Sequence, residues 1–411
     1  MQSMNEGGAR GLPAVVGPRW IEIDLDAVAE NVARIKKLID PQTKLMAVVK
    51  ADAYGCGLVG VSHAAVEAGA HMLGVTTINE GMELREGGIE APILLFAPLA
   101  PWEISLALEY GLTITADSPS LLRVLEEEGV PGTLRMHLKL DTGMNRLGFK
   151  DRDILPFVEG ITSIPGVELE GIYSHFATNP SVGRSFMGKQ FQSFMDVVSL
   201  LEKNGHPIPI RHICSSSAVL DSPQMHLDMV RVGTLIYGQY PFGGEGKIKL
   251  KDPWKVRARV IHIKEVPAGE SIGYGRDFKA KTTTRMGLIP VGFADGFGVG
   301  PEMKPKNITD LIKMLAKKVL AFFGIRAGAP LIRAGEKTVK IIGRIGMQFT
   351  ALDLTHMKEV GVGDTVLVAL RRTNANGKLP RVYYRNKKII KIRTPSGHML
   401  KEREYFKEGE G

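Results

Sequence analysis

Short apolar runs separated by amphipathic stretches fill the chain from about residue 19 to 240, the pattern of buried parallel strands each followed by a covering helix. The runs fall at 45–49, 72–75, 93–96, 112–115, 134–140, 167–173, 210–213 and 229–232. Eight of them suffice to close a TIM-type (β/α)8 barrel. Ahead of the first run, Val28, Val32, Ile35 and Ile39 recur at helical spacing behind Asp24 and Asp26, either of which can cap a helix start.

Beyond Pro253 the texture changes to β-branched runs broken by Gly and Pro, at 260–263, 286–291, 339–345 and 365–368. One segment interrupts it: within 308–323, Leu311, Ile312, Leu315, Val319 and Leu320 follow helical spacing. The pattern predicts an α/β chain with a flexible segment at 1–18, a barrel over 19–250, and a mainly β C-terminal domain over 251–411 carrying an inserted helix near 308–323. A length of 411 residues accommodates two such domains.

Composition narrows the class. Lys and Arg exceed Asp and Glu by 9, but the excess gathers late in the chain. It comprises Lys304, Lys306, Lys313, Lys317 and Lys318, then Lys387, Lys388, Lys391 and Arg393, with no interleaved aromatic residues and no nucleic-acid motif. A solvated basic surface is expected rather than a nucleic-acid partner. Cys56 and Cys214, far apart in sequence, suggest a reducing compartment and neither resembles half of a metal site. No segment is apolar for long enough to span a membrane, so a cytoplasmic enzyme is expected.

Candidate chemistry sits at the ends of the predicted strands, where barrel enzymes place their sites. In Ala47-Val48-Val49-Lys50-Ala51-Asp52-Ala53-Tyr54-Gly55 a buried strand delivers a lysine. Such an amine can form a Schiff base with an aldehyde cofactor, and its usual pKa of ~10.4 has to fall before it acts as a base. The motif equally suits a lysine snorkelling from the barrel mouth. Lys139 and Arg146 flank Asp141-Thr142-Gly143-Met144-Asn145, and His175 closes the next strand. Taken singly, His175 reads as a satisfied structural group and Lys139 as the partner of a carboxylate. After the last two strands come Ser215-Ser216-Ser217 and Arg231-Val232-Gly233-Thr234, where barrels often build a phosphate site and where Gly233 permits close approach to an anion.

Together these segments resemble the alanine racemase family over nearly the whole chain. The family is a barrel followed by a β-domain, usually a head-to-tail homodimer, and it uses pyridoxal phosphate. The resemblance implies an isomerase interconverting L- and D-alanine, with Lys50 as the Schiff-base lysine. Tyr54, Ser216, Gly233 and Thr234 would lie around the phosphate, Arg231 would face the pyridine nitrogen, and His175 would sit beside Arg231. Arg146 would contact the cofactor's phenolic oxygen or the substrate carboxylate, and Lys139 matches the lysine often carbamylated to orient that arginine. In the second domain Pro267-Ala268-Gly269-Glu270-Ser271-Ile272-Gly273-Tyr274-Gly275 is similar to the segment whose tyrosine reaches a partner's active site, making Tyr274 the second base. Without that context Tyr274 reads as a strand tyrosine in the β-domain core. The segment Gly343-Arg344-Ile345-Gly346-Met347 implies that the Met347 backbone N–H meets the substrate carboxylate.

A racemase needs bases on opposite faces of a planar carbanion, since one base returns the proton to the face it left. An arginine at the ring nitrogen can only donate, which weakens the cofactor as an electron sink and discourages transamination. Four positions depart from the usual residues: Gln348 for aspartate, Phe293 for tyrosine, Gly346 for cysteine and Ser215 for asparagine. A tyrosine often found against the phosphate also has no clear counterpart. These departures leave a different or broader amino-acid substrate open. From other classes, a non-catalytic pyridoxal-phosphate-binding protein is disfavoured by Tyr274 and the second domain, and a decarboxylase by Arg231.

Overall fold

The computed structural model describes residues 12, 14–241, 244–300, 305, 307–322 and 331–401. Most of the segment 1–18, expected to be flexible, lies outside the described residues; Ala14–Val16 form a single 3-10 turn with Val16 buried. The chain divides into two compact units, one being Asp24–Pro253 and the other the chain up to Ile23 joined by Trp254 onward.

The first strand, β1 (Arg19–Asp24), therefore does not open the barrel as the expected boundary at residue 19 has it. It pairs antiparallel with β10 (Trp254–Arg259), from Arg19 opposite Ala258 to Ile23 opposite Trp254. Between these two strands lies the α/β unit. Its helix Leu25–Lys36 is capped by Asp24, whose carboxylate accepts from the Ala27 N–H, and it buries Val28, Val32 and Ile35. Asn31 is buried with them and satisfied, donating to the carbonyls of Ile236 and Lys251 and accepting from the Lys251 N–H.

Eight parallel strands follow: β2 (Lys44–Val48), β3 (Met72–Val75), β4 (Ile93–Leu95), β5 (Ile114–Ala116), β6 (Leu134–Lys139), β7 (Val167–Tyr173), β8 (Ile210–His212) and β9 (Met229–Val232). These are the eight apolar runs of the sequence, shifted at most two residues at either end. The order is β4-β3-β2-β9 in one sheet and β5-β6-β7-β8 in another. The Thr113 N–H donates to Ile93 and the Leu95 N–H to Thr113, joining β4 to β5. On the other side the Arg231 N–H donates to Cys214 and the Asp228 N–H to Arg211, joining β8 to β9. The two sheets thus make one ring. Met46, Met72, Leu94, Tyr173, Ile210 and Met229 pack inside it, and strands buried on both faces explain the unbroken apolar runs.

The other unit is built on an eleven-stranded sheet in the order β11-β14-β17-β16-β15-β18-β10-β1-β19-β20-β21. Its remaining strands are β11 (His262–Val266), β14 (Thr284–Ile289), β15 (Ile332–Ala334), β16 (Lys337–Ile342), β17 (Thr350–Asp353), β18 (Thr365–Val368), β19 (Arg381–Arg385), β20 (Lys388–Arg393) and β21 (Met399–Lys401), with β12 (Ser271–Ile272) and β13 (Phe278–Lys279) forming a separate pair. The run 260–263 is not one strand but the crossing from β10 to β11. There the Val260 N–H donates to Asp364 and the Ile261 N–H to Leu288, so adjacent residues bond to different neighbours. The inserted helix spans Ile308–Phe322, and Ile308, Ile312, Leu315 and Val319 on it are more than half exposed. Among the described residues no helix is long and apolar enough to cross a membrane.

Candidate active site

The C-terminal ends of the barrel strands surround a cavity of about 300 Å³, at the small end of the range of ligand pockets. Lys50, Tyr54, Lys139, Arg146, His175, Ser216, Arg231, Gly233 and Thr234 all line it. The fold thus gathers nine residues singled out from five separate stretches of sequence.

Lys50 leaves β2 into an unusual turn. Ala51, Asp52, Ala53 and Tyr54 all have φ between 51° and 56°, a left-handed run of four L-residues that ends at Gly55. Such a conformation costs about 1–2 kcal/mol per residue and is rarely sustained beyond one. Hydrogen bonds hold it: Ala53 N–H to Val49, Gly55 N–H to Ala51, Gly57 N–H to Asp52, and Leu58 N–H to the Asp52 carboxylate. The Ala51 N–H donates to the Glu80 carboxylate at 2.6 Å. Tyr54 at its end is stacked against Tyr237, ring centroids 4.7 Å apart, and the Tyr237 hydroxyl donates to Val48. Burial first, and Arg146 second, lower the Lys50 pKa, with Glu80 opposing them.

Arg231 is 4% exposed and reaches the cavity from β9. Nη1 donates to Nδ1 and the carbonyl of His212, and Nη2 donates to Nδ1 of His175 and the carbonyls of Ser174 and Ile213. Among the described residues no partner is found for its Nε–H. Burial pushes the guanidinium down to about 10, so it stays charged at neutral pH. Because Arg231 only donates, Nδ1 of His212 must accept, which leaves Nε2–H to donate to Nδ1 of His137 at 2.8 Å. The His137 Nε2–H then donates to Glu170 at 3.3 Å. Both rings are fully buried, and burial is the first cause that lowers their pKa values and that of His175. Gly171 makes room for this chain, since a Cβ there would lie 2.6 Å from the His137 ring.

Lys139, 6% exposed, has its amine 4.6 Å from the centre of the Tyr173 ring. The carboxylate expected to pair with it is engaged elsewhere. Asp141 accepts from Lys150 at 2.7 Å and from the N–H groups of Gly143 and Asn145. Burial, then Arg231 and Arg146, drive the Lys139 amine well below its ordinary pKa. Arg146 stands on the loop that Asp141 organises, and its side chain is exposed toward the cavity mouth.

Ser215, Ser216, Ser217, Thr234 and Tyr54 add hydroxyls to the lining of the cavity. Ser216 Oγ accepts from the Gly233 N–H at 3.1 Å, which leaves its own hydrogen to donate. A Cβ on Gly233 would lie 2.6 Å from the Tyr54 hydroxyl, so any larger residue there has to displace the Tyr54 side chain. Cations and hydroxyl donors lining one cavity suit a ligand carrying a phosphate, and the donor left on Arg231 suits a ring nitrogen that accepts. The residues present fit pyridoxal phosphate.

Tyr274 and Met347 belong to the other unit and are 79% and 62% exposed. The Tyr274 ring is therefore not in the β-domain core. It lies between Gly273 and Gly275, both at positive φ, on a short turn that Arg344 and Asp277 brace by an ion pair. Phe293 and Gln348 are in the same unit. Sequence reasoning missed Glu80, His137, Glu170, His212 and Tyr237. The two histidines left a trace, being polar residues at buried positions of barrel strands; Glu80 looked like an ordinary residue in a helix's first turn.

Comparison with known proteins agrees with this arrangement on both sides of the chain. Residues 23–241 match the family description for the alanine racemase N-terminal domain, and 254–382 match that for the C-terminal domain. The alanine racemase of Desulforamulus reducens is 35% identical over 356 residues, covering 85% of this chain and 90% of that one. That of Clostridium tetani is 32% identical over 403 residues, covering 92% and 98%. The solved alanine racemase of Clostridium difficile superposes with a TM-score of 0.80 at 26% identity, covering 92% of this chain and 98% of that chain. An alanine racemase from Bacillus anthracis with bound L-Ala-P gives 0.78 at 27% identity, covering 92% and 97%. A barrel whose strand ends gather a lysine, two arginines and a hydroxyl-lined recess, matched along both halves by racemases at this identity, places the chain in the alanine racemase family.

Proposed function

We propose that the protein racemises alanine with pyridoxal phosphate, Lys50 and Tyr274 acting as bases on opposite faces of the substrate carbon. The observation that carries the reading is the cavity itself, in which the Lys50 amine, the buried Arg231 and the Gly233–Ser216 hydroxyl recess face one space. When bound, pyridoxal phosphate would take up charge left on the substrate's α-carbon. Lys50 would hold the cofactor through its aldehyde carbon, and the lowered pKa of its amine suits it to accept the α-proton at Nζ. Tyr274 of a second copy of the chain delivers a proton from Oη to the other face, and the roles reverse for the opposite enantiomer. The 79% exposure of its ring supports a role outside its own unit. A homodimer with shared sites follows from this reading.

Arg231 would face the ring nitrogen with a proton it does not give up, His175 beside it stays neutral, and Ser216, Thr234 and Tyr54 would hold the phosphate. Arg146 holds the substrate carboxylate together with the Met347 backbone N–H. Lys139, whose amine burial and the charges of Arg231 and Arg146 hold well below its ordinary pKa, is suited to add carbon dioxide and lose a proton, giving a carbamate anion that would orient Arg146. Cys56 and Cys214, both buried, suit a reducing, cytoplasmic setting.

The test uses L-alanine and D-alanine separately, following optical rotation. Lys50→Ala is expected to lose both activity and the visible absorbance of the lysine-linked cofactor, and retained absorbance would overturn the cofactor assignment. Tyr274→Phe is expected to keep the absorbance and lose about 10²–10⁴-fold in rate. A wild-type rate in that variant would remove Tyr274 from the mechanism.

A further inference from the structure

Glu80 is the third residue of the helix Ile78–Glu86, whose N-cap is Thr77. One carboxylate oxygen accepts from the N–H groups of Thr76 and Thr77 at 2.9 and 3.2 Å, the usual reach of a capping box. The other oxygen does something a capping box does not require. It accepts at 2.6 Å from the N–H of Ala51, twenty-nine positions earlier in the chain and the first peptide after Lys50.

That N–H opens the left-handed turn Ala51–Tyr54, and the direction of the turn decides where the Lys50 Cα presents its side chain. We propose that Glu80 is a positioning residue for Lys50, its carboxylate clamping the turn that aims the amine into the cavity. The proposal rests on the reading of Lys50 as the base. Glu80 does not touch the ligand; it acts through the backbone of Ala51.

Two consequences separate this role from helix capping alone. First, the carboxylate is the group whose charge favours a protonated Lys50, against burial and Arg146. Removing that charge lowers the pH at which the amine becomes free. Second, removing both acceptor oxygens releases the Ala51 N–H and lets the turn relax, misplacing the amine in a reaction sensitive to shifts of about 1 Å.

The experiment compares Glu80→Ala, Glu80→Gln and Thr77→Ala, each checked for a melting transition like wild type. Thr77→Ala removes the side chain that caps the Glu80 N–H but leaves Glu80 on Ala51. In the full chain freed of cofactor, acetylation of Lys50 by acetic anhydride is followed against pH by mass spectrometry of its peptide. Loaded protein is assayed for kcat and KM on alanine.

Glu80→Ala is expected to shift the Lys50 titration to lower pH, speed hydrogen exchange at the Ala51 amide, and lower kcat by about 10–100-fold with KM within about twofold. Glu80→Gln, with one acceptor oxygen and no charge, should show the titration shift and recover part of kcat; Thr77→Ala should leave the titration unmoved. Equal behaviour of Thr77→Ala and Glu80→Ala, or a Lys50 titration unchanged in both Glu80 variants, would reduce Glu80 to a helix cap and overturn the inference. If instead Lys50→Ala keeps the cofactor absorbance, the reading of Lys50 fails, and the acetylation data still judge the clamp by themselves.

Discussion

His212 lies flat on Tyr173, ring centroids 4.9 Å apart and planes within 10°, while the edge of the same imidazole accepts from Arg231 at 2.9 Å. One side chain thus packs the barrel interior and holds the charged group that faces the cavity. His212→Phe keeps the stacking surface but removes both the acceptor for Arg231 and the donor to His137. Leaving such buried groups unpaired costs about 1–3 kcal/mol each. The variant is expected to unfold at lower denaturant concentration with an unchanged slope, read by circular dichroism.

Stability should fall on the acid side. His137, His175 and His212 have pKa values held below the ordinary histidine value, with burial the first cause for each. The unfolded chain, with pKa values near 6.5, therefore binds more protons than the native one once the pH drops below that point. Stability is full above it and is lost as pH falls from there toward the native values, by up to about 1.4 kcal/mol per pH unit for each histidine. Melting temperatures measured across this range should decline on acidification, and replacing His137 with Gln should flatten the slope. A flat profile in the wild-type protein would contradict the burial argument.

Gly233→Ala should damage binding more than folding. The added Cβ would lie 2.6 Å from the Tyr54 hydroxyl, the tip of a side chain on the strained turn that follows Lys50. Tyr54 must swing aside, and its hydroxyl leaves the recess it shares with Ser216. Titration with pyridoxal phosphate is expected to show affinity lowered by about tenfold, the equivalent of one strong hydrogen bond.

Lys139 should take up carbon dioxide. Its buried amine has no carboxylate within ion-pair distance among the described residues, and the neighbouring Arg231 and Arg146 favour an anion in its place. Gentle peptide mapping should find one added carbon dioxide on Lys139 that acid removes. Lys139→Ala should lack it and raise KM for alanine by about tenfold, as expected when a charge-assisted hydrogen bond to Arg146 is lost.

The barrel was legible because strands such as Met72–Val75 and Ile93–Leu95 are buried on both faces and leave unbroken apolar runs, and the bounds expected at 72–75, 167–173 and 229–232 are those the structure has. The run 260–263 misled for the same reason. Its residues are apolar because two successive strands pack there, and apolarity does not record which partner each N–H takes. Lys50, Arg231 and Gly233 stood out at predicted strand ends, and the structure lines one cavity with all three. Their supports did not stand out. Glu80 meets Ala51, and His137 meets His212, across 29 and 75 positions, and nothing local marks a residue whose partner is chosen by closure of a ring. The left-handed run Ala51–Tyr54 was equally hidden, since three of its four residues are not of the kind that usually adopts positive φ.

The seating of Arg19–Asp24 in the middle of the eleven-stranded sheet has a consequence for biosynthesis. That strand leaves the ribosome well before the neighbours it needs, since Trp254–Arg259 and Arg381–Arg385 follow more than two hundred residues later. The Asp24–Pro253 unit can close while translation continues, but Trp20, Ile21 and Ile23, buried in the finished sheet, stay uncovered until the late strands arrive. Chaperone capture, or a stall that delays those late strands, is expected to act on this waiting strand.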